Sequence, residues 1–90
     1  MTLSVTTVDG TRVVRGVGDI DLAGAAEFRE VLMAAAADGL PVVVDLSAVT
    51  FLDAAGLSAL VAGRIAADGR FEVVGATGIV RRILDVTGLG

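Results

Sequence analysis

Aspartates supply the side chains of this sequence that could take part in chemistry. The chain has no His, Cys or Lys, so catalytic arrangements built on Ser-His-Asp or Cys-His are impossible. Asp19 and Asp21 alternate by two, which in an extended segment places both carboxylates on one side, where they could hold a hard cation. We favour a structural role, in which Asp21 shapes the turn before a helix and Asp19 is solvated. Gly16 and Gly18 lack the third glycine of a nucleotide loop. The sequence therefore predicts no metal, no cofactor and no enzymatic activity.

A further aspartate lies where a strand is expected to lead into a helix. The stretch 42–57 is typical of a buried strand, a short loop and the first turn of a helix. Val42–Val44 is a run of three β-branched residues, which favours a strand covered on both faces. Asp53 precedes small residues and then an apolar run from Leu57 onwards, so it marks a helix start. Because a helix N-terminus suits a phosphate or carboxylate, we expect function at this junction.

Composition excludes several classes of function. The net charge of −4 and the aromatic content of 3% argue against a nucleic-acid partner, which needs clustered cations or stacking rings. Asp38, Asp45 and Asp53 divide the most hydrophobic region, so no segment reaches the roughly 18 apolar residues of a membrane-spanning helix. The start, Met1–Ser4, has no signal-peptide pattern. We expect a cytoplasmic domain without direct membrane insertion.

The first part of the chain predicts a hairpin and a helix. Two β-rich runs, Leu3–Val8 and Thr11–Val17, are separated by the pair Asp9-Gly10. An Asp-Gly pair between such runs is a strong hairpin signal, because a type I′ turn needs positive φ at both central residues. Residues 18–24 are expected to form a loop that enters the first helix.

The rest of the chain alternates between helix and strand. The second helix is expected to end near Asp68, Phe71–Val74 to form a short strand, and Thr77 to cap a third helix. The predicted order is β-β-α-β-α-β-α, which gives an α/β fold with a mixed β-sheet and flanking helices. Ninety residues hold one core, so we predict a single domain over residues 1–90.

The second predicted helix has two different apolar sides. One side carries the large residues Leu57, Leu60, Val61 and Ile65. Roughly opposite lie the small residues Ala55, Ala59, Ala62, Gly63 and Ala66. Two interpretations of the small side stay open: it packs closely against a neighbouring element, or it is a smooth apolar patch for a partner.

Three motifs of the sequence resemble one known family. They are Gly18–Ala23, Asp45–Leu57 and Val80–Leu89, and they occur in the order that the family has. The motifs resemble the STAS domain of the anti-sigma factor antagonists (anti-anti-sigma factors) and of the cytoplasmic domains of sulphate transporters. The resemblance runs over nearly the whole chain and implies a STAS-like fold, which agrees with the predicted order of elements.

The resemblance implies a regulatory function through partner switching. Bacterial antagonists of this type bind a serine-kinase-type anti-sigma factor and so release a sigma factor for transcription. The kinase phosphorylates a Ser or Thr directly after the Asp of the middle motif, and the added charge of about −2 disrupts docking. In this chain that position is Ala54, with Ala55 next to it, so neither residue offers a hydroxyl. The nearest hydroxyls, on Thr50 and Ser58, lie elsewhere along the chain.

Three accounts of Ala54 stay open from the sequence. The natural protein lacks the phosphorylation switch, or the alanine is an engineered block on phosphorylation. Alternatively, the domain serves another assembly, as a transporter or scaffold subunit; one example is the STAS subunit of a lipid-transport ABC system.

The predicted docking surface is centred on the start of the second helix and on the side of that helix thought to be exposed. We expect Asp21 and its loop to border this surface, as the resemblance implies. The predicted partner-binding residues are Asp21, Asp53, Ala54, Ala55, Gly56, Leu57, Ser58, Ala59 and Ala62.

Overall fold

A four-stranded mixed sheet organises the fold in the computed structural model, which describes residues 1–89. The elements are β1 (Thr2–Val8), β2 (Thr11–Ile20), α1 (Leu22–Ala36), β3 (Val42–Leu52), α2 (Ala54–Ala66), β4 (Phe71–Val74) and α3 (Gly78–Thr87). The strands lie in the order β1-β2-β3-β4, with β1 antiparallel to β2 and the other pairs parallel. The predicted α/β class and element order are confirmed.

Helices α1 and α2 pack side by side on one face of the sheet. Each connects two neighbouring parallel strands in the same direction, and right-handed crossovers then place both helices on the same face. Helix α3 contacts β3 and adds Val80 and Leu84 to the same core. Within residues 1–89, no helix has the length and hydropathy needed to cross a membrane.

The opening hairpin has the predicted turn. Asp9 and Gly10 have φ values of 49° and 77°, so both central residues occupy the left-handed region that a type I′ turn requires.

Strand β2 and helix α1 leave no room for the predicted loop over residues 18–24. The strand extends to Ile20 because its last residues pair with the end of β3, Asp19 opposite Phe51 and Ile20 opposite Leu52. Helix α1 begins directly afterwards, at Leu22. The loop prediction was wrong because the pairing partner, which decides where a strand ends, is distant in sequence.

Strand β3 is longer than predicted and contains two irregularities. The register against β2 shifts twice, so that β3 has an additional residue between Asp45 and Ala48 and again between Val49 and Phe51. These bulges change the spacing of the buried positions from two to three residues and keep one side of the strand on the core. The strand therefore reaches Leu52, and the short loop predicted before the second helix is absent.

Ala59 and Gly63, on the small side of α2, face the protein interior. The buried residues of the helix are Gly56, Ala59, Leu60 and Gly63; of the other small residues, Ala55 and Ala62 are half-buried and Ala66 is exposed. A Cβ atom at Gly63 would lie only 3.1 Å from the Cβ of Leu32 on α1 and 3.1 Å from Cε1 of Phe71 on β4. Close helix packing of this kind needs small side chains at the contact. Of the two interpretations of the small side, close packing holds for Ala59 and Gly63.

The charged pair Arg15 and Asp45 lies on the neighbouring strands β2 and β3. The backbone N–H of Ser47 donates to Oδ1 of Asp45 at 2.9 Å, and Nε of Arg15 lies 3.7 Å from Oδ2. The bonds from the Ser47 backbone and hydroxyl, with a smaller contribution from Arg15, lower the pKa of Asp45, while burial acts against them. The ionised carboxylate therefore stabilises the bulged part of β3.

Substitution of Asp45 by Asn is expected to remove a pH-dependent part of the stability. Because the pKa of Asp45 is lower in the folded than in the unfolded protein, its contribution is complete above about pH 4 and is lost as the pH falls through the folded value. Urea unfolding from pH 7 to pH 2 should show wild type more stable than Asp45→Asn at neutral pH, with the difference shrinking in acid. A difference that stays constant across this range contradicts the assignment.

Candidate functional site

The starts of α1 and α2 lie together at one edge of the sheet. Both helices follow the carboxyl ends of adjacent parallel strands, and the backbone N–H of Asp53 donates to the carbonyl of Ile20 at 3.2 Å. This bond joins the start of α2 to the end of β2. The structure thus brings together Asp21 and Asp53, which lie 32 positions apart in sequence. We call this region the helix-start edge, comprising Asp19, Asp21, Asp53, Ala54 and Ser58.

Each helix start is capped by its own aspartate. Oδ1 of Asp53 accepts a hydrogen bond from the N–H of Gly56 at 3.0 Å, and Oδ1 of Asp21 accepts one from the N–H of Gly24 at 3.3 Å. The carboxylates therefore occupy the sites at which an external anion would bind a helix N-terminus. The place that the sequence suggested for a phosphate or carboxylate is filled by carboxylates of the chain itself.

Asp19 is held by a hydroxyl from the neighbouring strand. The Oγ1 of Thr50 donates a hydrogen bond to Oδ1 of Asp19, so this carboxylate is not simply solvated as expected. Glu27 lies beside the same shallow depression as Asp19 and Asp21. Within residues 1–89, these carboxylates form no ion pair, and no group of three potential ligands is arranged for a metal ion. The helix-start edge thus has an unneutralised negative charge.

Gly56 faces the protein interior. A Cβ atom there would lie 2.5 Å from Cδ1 of Leu52 and 3.1 Å from Cγ2 of Ile20, so the helix can approach the ends of both strands only with glycine at this position. Ala59 is only 2% exposed. Both residues were predicted to contact a partner, and their burial corrects that prediction. Ala62 is half-buried.

The other predicted docking residues lie at or near the surface. Ala54 is the first residue of α2 and is exposed, as are Ser58 and Asp21. Ala55 and Leu57 are half-buried.

Two of the large apolar residues of α2 point away from the core. Val61 is 39% exposed and Ile65 is 74% exposed, whereas Leu60 is completely buried. The spacing of Ala54, Ser58, Val61 and Ile65 makes them one exposed row along the helix, which we call the outer stripe. The signal that could have revealed it is the helical spacing of Gly56, Ala59 and Gly63, because a face with two glycines suits close packing.

Substitutions of Asp53 are expected to separate its capping role from its charge. Asp53→Ala removes the acceptor for the Gly56 N–H and should lower the free energy of unfolding by about 1 kcal/mol. Asp53→Asn keeps an acceptor of similar capping strength and should remain close to wild type in urea unfolding. An equal loss in both variants would show that charge, not capping, is what stabilises the start of α2.

Comparisons with known proteins agree with the geometry. The family model described as "Mlab, STAS domain" matches residues 3–90. The crystal structure of an anti-sigma factor antagonist from Mycobacterium paratuberculosis is similar, with 39% identity and a TM-score of 0.88 over 98% of this chain and 78% of that chain. A search of curated proteins gives no match.

Two structures of a more distant protein share the fold. SpoIIAA in its unphosphorylated form has 17% identity and a TM-score of 0.75, over 93% of this chain and 82% of that chain. The phosphorylated form of the Bacillus cell fate determinant SpoIIAA has 17% identity and a TM-score of 0.76, over 99% of this chain and 86% of that chain. The family model that spans nearly the whole chain, together with the 39% identical antagonist, shows that this chain belongs to the STAS domain family.

Proposed function

We propose that this protein is a regulatory protein-binding module of the anti-sigma factor antagonist type, which binds a serine-kinase-type anti-sigma factor and thereby releases a sigma factor. The observation that carries the proposal is the similarity to the antagonist from Mycobacterium paratuberculosis, which extends over 98% of this chain at 39% identity. The proposed function is binding and not catalysis.

The helix-start edge is the proposed docking surface. Ala54 and Ser58 are exposed there, beside the carboxylates of Asp21 and Asp53. Since the carboxylates at this edge form no ion pair among the described residues, a partner with basic side chains fits it best. The close packing of α2 at Gly56 holds Ala54 in a fixed position relative to both aspartates.

Ala54 is proposed to make binding constitutive. It stands where the family resemblance implies a phosphorylated Ser or Thr, and it has no hydroxyl. The hydroxyl of Thr50 is engaged with Asp19, and Ser58 lies one helical turn further along α2. A phosphate at position 54 would add about two negative charges and a strongly hydrated group next to Asp53 and Asp21, and so would oppose close packing of a partner against Ala54 through like-charge repulsion and the cost of desolvation. Because position 54 has no hydroxyl to accept a phosphate, the surface stays unphosphorylated and able to bind.

A second candidate function is supported by the description of the matching family model. That description names Mlab and not an antagonist. The alternative is a STAS subunit of another assembly, such as a lipid-transport ABC system or a signalling scaffold. Affinity capture from the native host separates the two candidates, since the first predicts a kinase-like anti-sigma factor and the second a transporter ATPase.

Restoring a hydroxyl at position 54 is expected to restore phosphorylation. Incubation with the host's kinase-type anti-sigma factor and ATP should leave the mass of the wild-type protein unchanged, because Ala54 cannot accept a phosphate. The variant Ala54→Ser should gain the mass of one phosphate and lose affinity for the kinase. Intact-mass spectrometry measures the first effect and titration calorimetry the second.

The matched control is Ser58→Ala in the Ala54→Ser background, which should still accept one phosphate. Phosphorylation of the wild type contradicts the proposal of a lost switch. An Ala54→Ser variant that binds the kinase but stays unmodified contradicts the assignment of position 54 as the acceptor position.

A further inference from the structure

An apolar groove lies where the last turns of α2 approach the chain after α3. We call it the α2 groove, and its lining residues are Val61, Arg64, Ile65, Asp68, Gly69 and Leu89. Ile65 is 74% exposed and stands at the side of the groove that it helps to line. One surface therefore has both a projecting aliphatic side chain and an apolar recess next to it.

The charges of the α2 groove are of opposite sign and are not neutralised. Arg64 lies on the last turn of α2, and Asp68 lies one turn further, in the left-handed region with φ of 53°. Neither side chain takes part in an ion pair within residues 1–89. The order of cation before anion at this spacing is the less favourable one for pairing within a helix. Both charges thus remain available to a facing surface.

We propose that the α2 groove binds a second copy of this chain and forms a two-fold symmetric dimer. In a two-fold interface the same patch meets itself, so the patch must be complementary to itself in shape and in charge. Two antiparallel α2 helices that cross at the level of Ala66 place Arg64 of each copy opposite Asp68 of the other. The same arrangement directs each Ile65 towards the recess of the other copy. A patch that holds a projection, a recess and two opposite charges meets both requirements.

The dimer formed through the α2 groove is expected to be weak. We assign this contact, made by the end of one helix and the recess beside it, to the weak and transient class of interfaces, which bury less than about 1,200 Å². We therefore expect a dissociation constant between about 10 µM and 1 mM.

The proposed dimer does not depend on the proposed function. Ala54 and Ile65 are eleven residues apart on α2, a distance of about 16 Å along the helix axis. The helix-start edge and the α2 groove therefore occupy different ends of the outer stripe. If the dimer does not form, the proposal that an anti-sigma factor docks at the helix-start edge is unaffected. If no anti-sigma factor docks there, the dimer proposal is unaffected.

Sedimentation equilibrium tests the dimer directly. The wild-type protein should pass from monomer to dimer as its concentration rises from about 5 µM to 1 mM, and Ile65→Glu should raise the dissociation constant at least about tenfold. The matched control is Leu22→Glu, because Leu22 is 78% exposed and lies at the start of α1, at the other end of the helix layer. This control should dimerise like the wild type. Circular dichroism checks that both variants are folded.

Exchange of the two charges tests the orientation of the copies. Arg64→Asp alone and Asp68→Arg alone should each remain monomeric, because each places like charges opposite one another at both contacts. An equimolar mixture of the two variants should form a heterodimer, in which both contacts are again between opposite charges. Any of three results would overturn the proposal. The wild type stays monomeric at 1 mM, which is about the highest dissociation constant expected for a weak interface; Leu22→Glu weakens the dimer as much as Ile65→Glu does; or the mixture of the two charge variants stays monomeric.

Discussion

The close approach of α2 to the ends of β2 and β3 is the constraint on which the rest of this structure depends. It requires glycine at position 56, where a Cβ atom would lie 2.5 Å from Leu52 and 3.1 Å from Ile20. Asp53 strengthens the contact through its backbone bond to Ile20. As a result, the first turn of α2 has one fixed orientation, with Ala54 at the surface beside the two capping aspartates. The small inward face of α2 also directs Val61 and Ile65 outwards.

Capping decides the chemistry of the helix-start edge. A helix N-terminus that lacks a capping side chain attracts anions, but here the carboxylates of Asp21 and Asp53 already accept the free N–H groups. The edge therefore carries negative charge at the surface, although it is built from two positive dipole ends. A phosphate at position 54 would lie beside existing negative charge, so like-charge repulsion would oppose it.

Much of the fold could be predicted from sequence because its signals are local. The Asp9-Gly10 turn, the strand Phe71–Val74 and the helix start at Asp53 each depend on a few neighbouring residues, and the structure has all three. The ends of β2 and β3 could not be predicted in this way, because pairing between distant residues and two bulges decide them. Thr77 precedes α3 as expected, but its side chain forms no capping bond.

The candidate site was predictable in part, for the same reason. Asp21, Asp53 and Ala54 follow from motif and capping rules, whereas the burial of Ala59 was missed although the helical spacing of Gly56, Ala59 and Gly63 indicates a closely packed face. Hydrophobicity usually decides which side of a helix is buried. In α2 the short distance to neighbouring elements decides which side is buried, because only small side chains fit there. Gly63 therefore faces inwards and Ile65 faces solvent.

Titration of the protein with the kinase-type anti-sigma factor of its host tests the central claim most directly, when the wild type is compared with Ser58→Arg and with Met33→Arg. Both substituted side chains are exposed, but only Ser58 belongs to the helix-start edge, while Met33 lies on α1. The account predicts that the wild type and Met33→Arg bind equally and that Ser58→Arg, which stays folded, binds at least about tenfold more weakly. Absence of binding by the wild type, or equal binding by all three proteins, would contradict it.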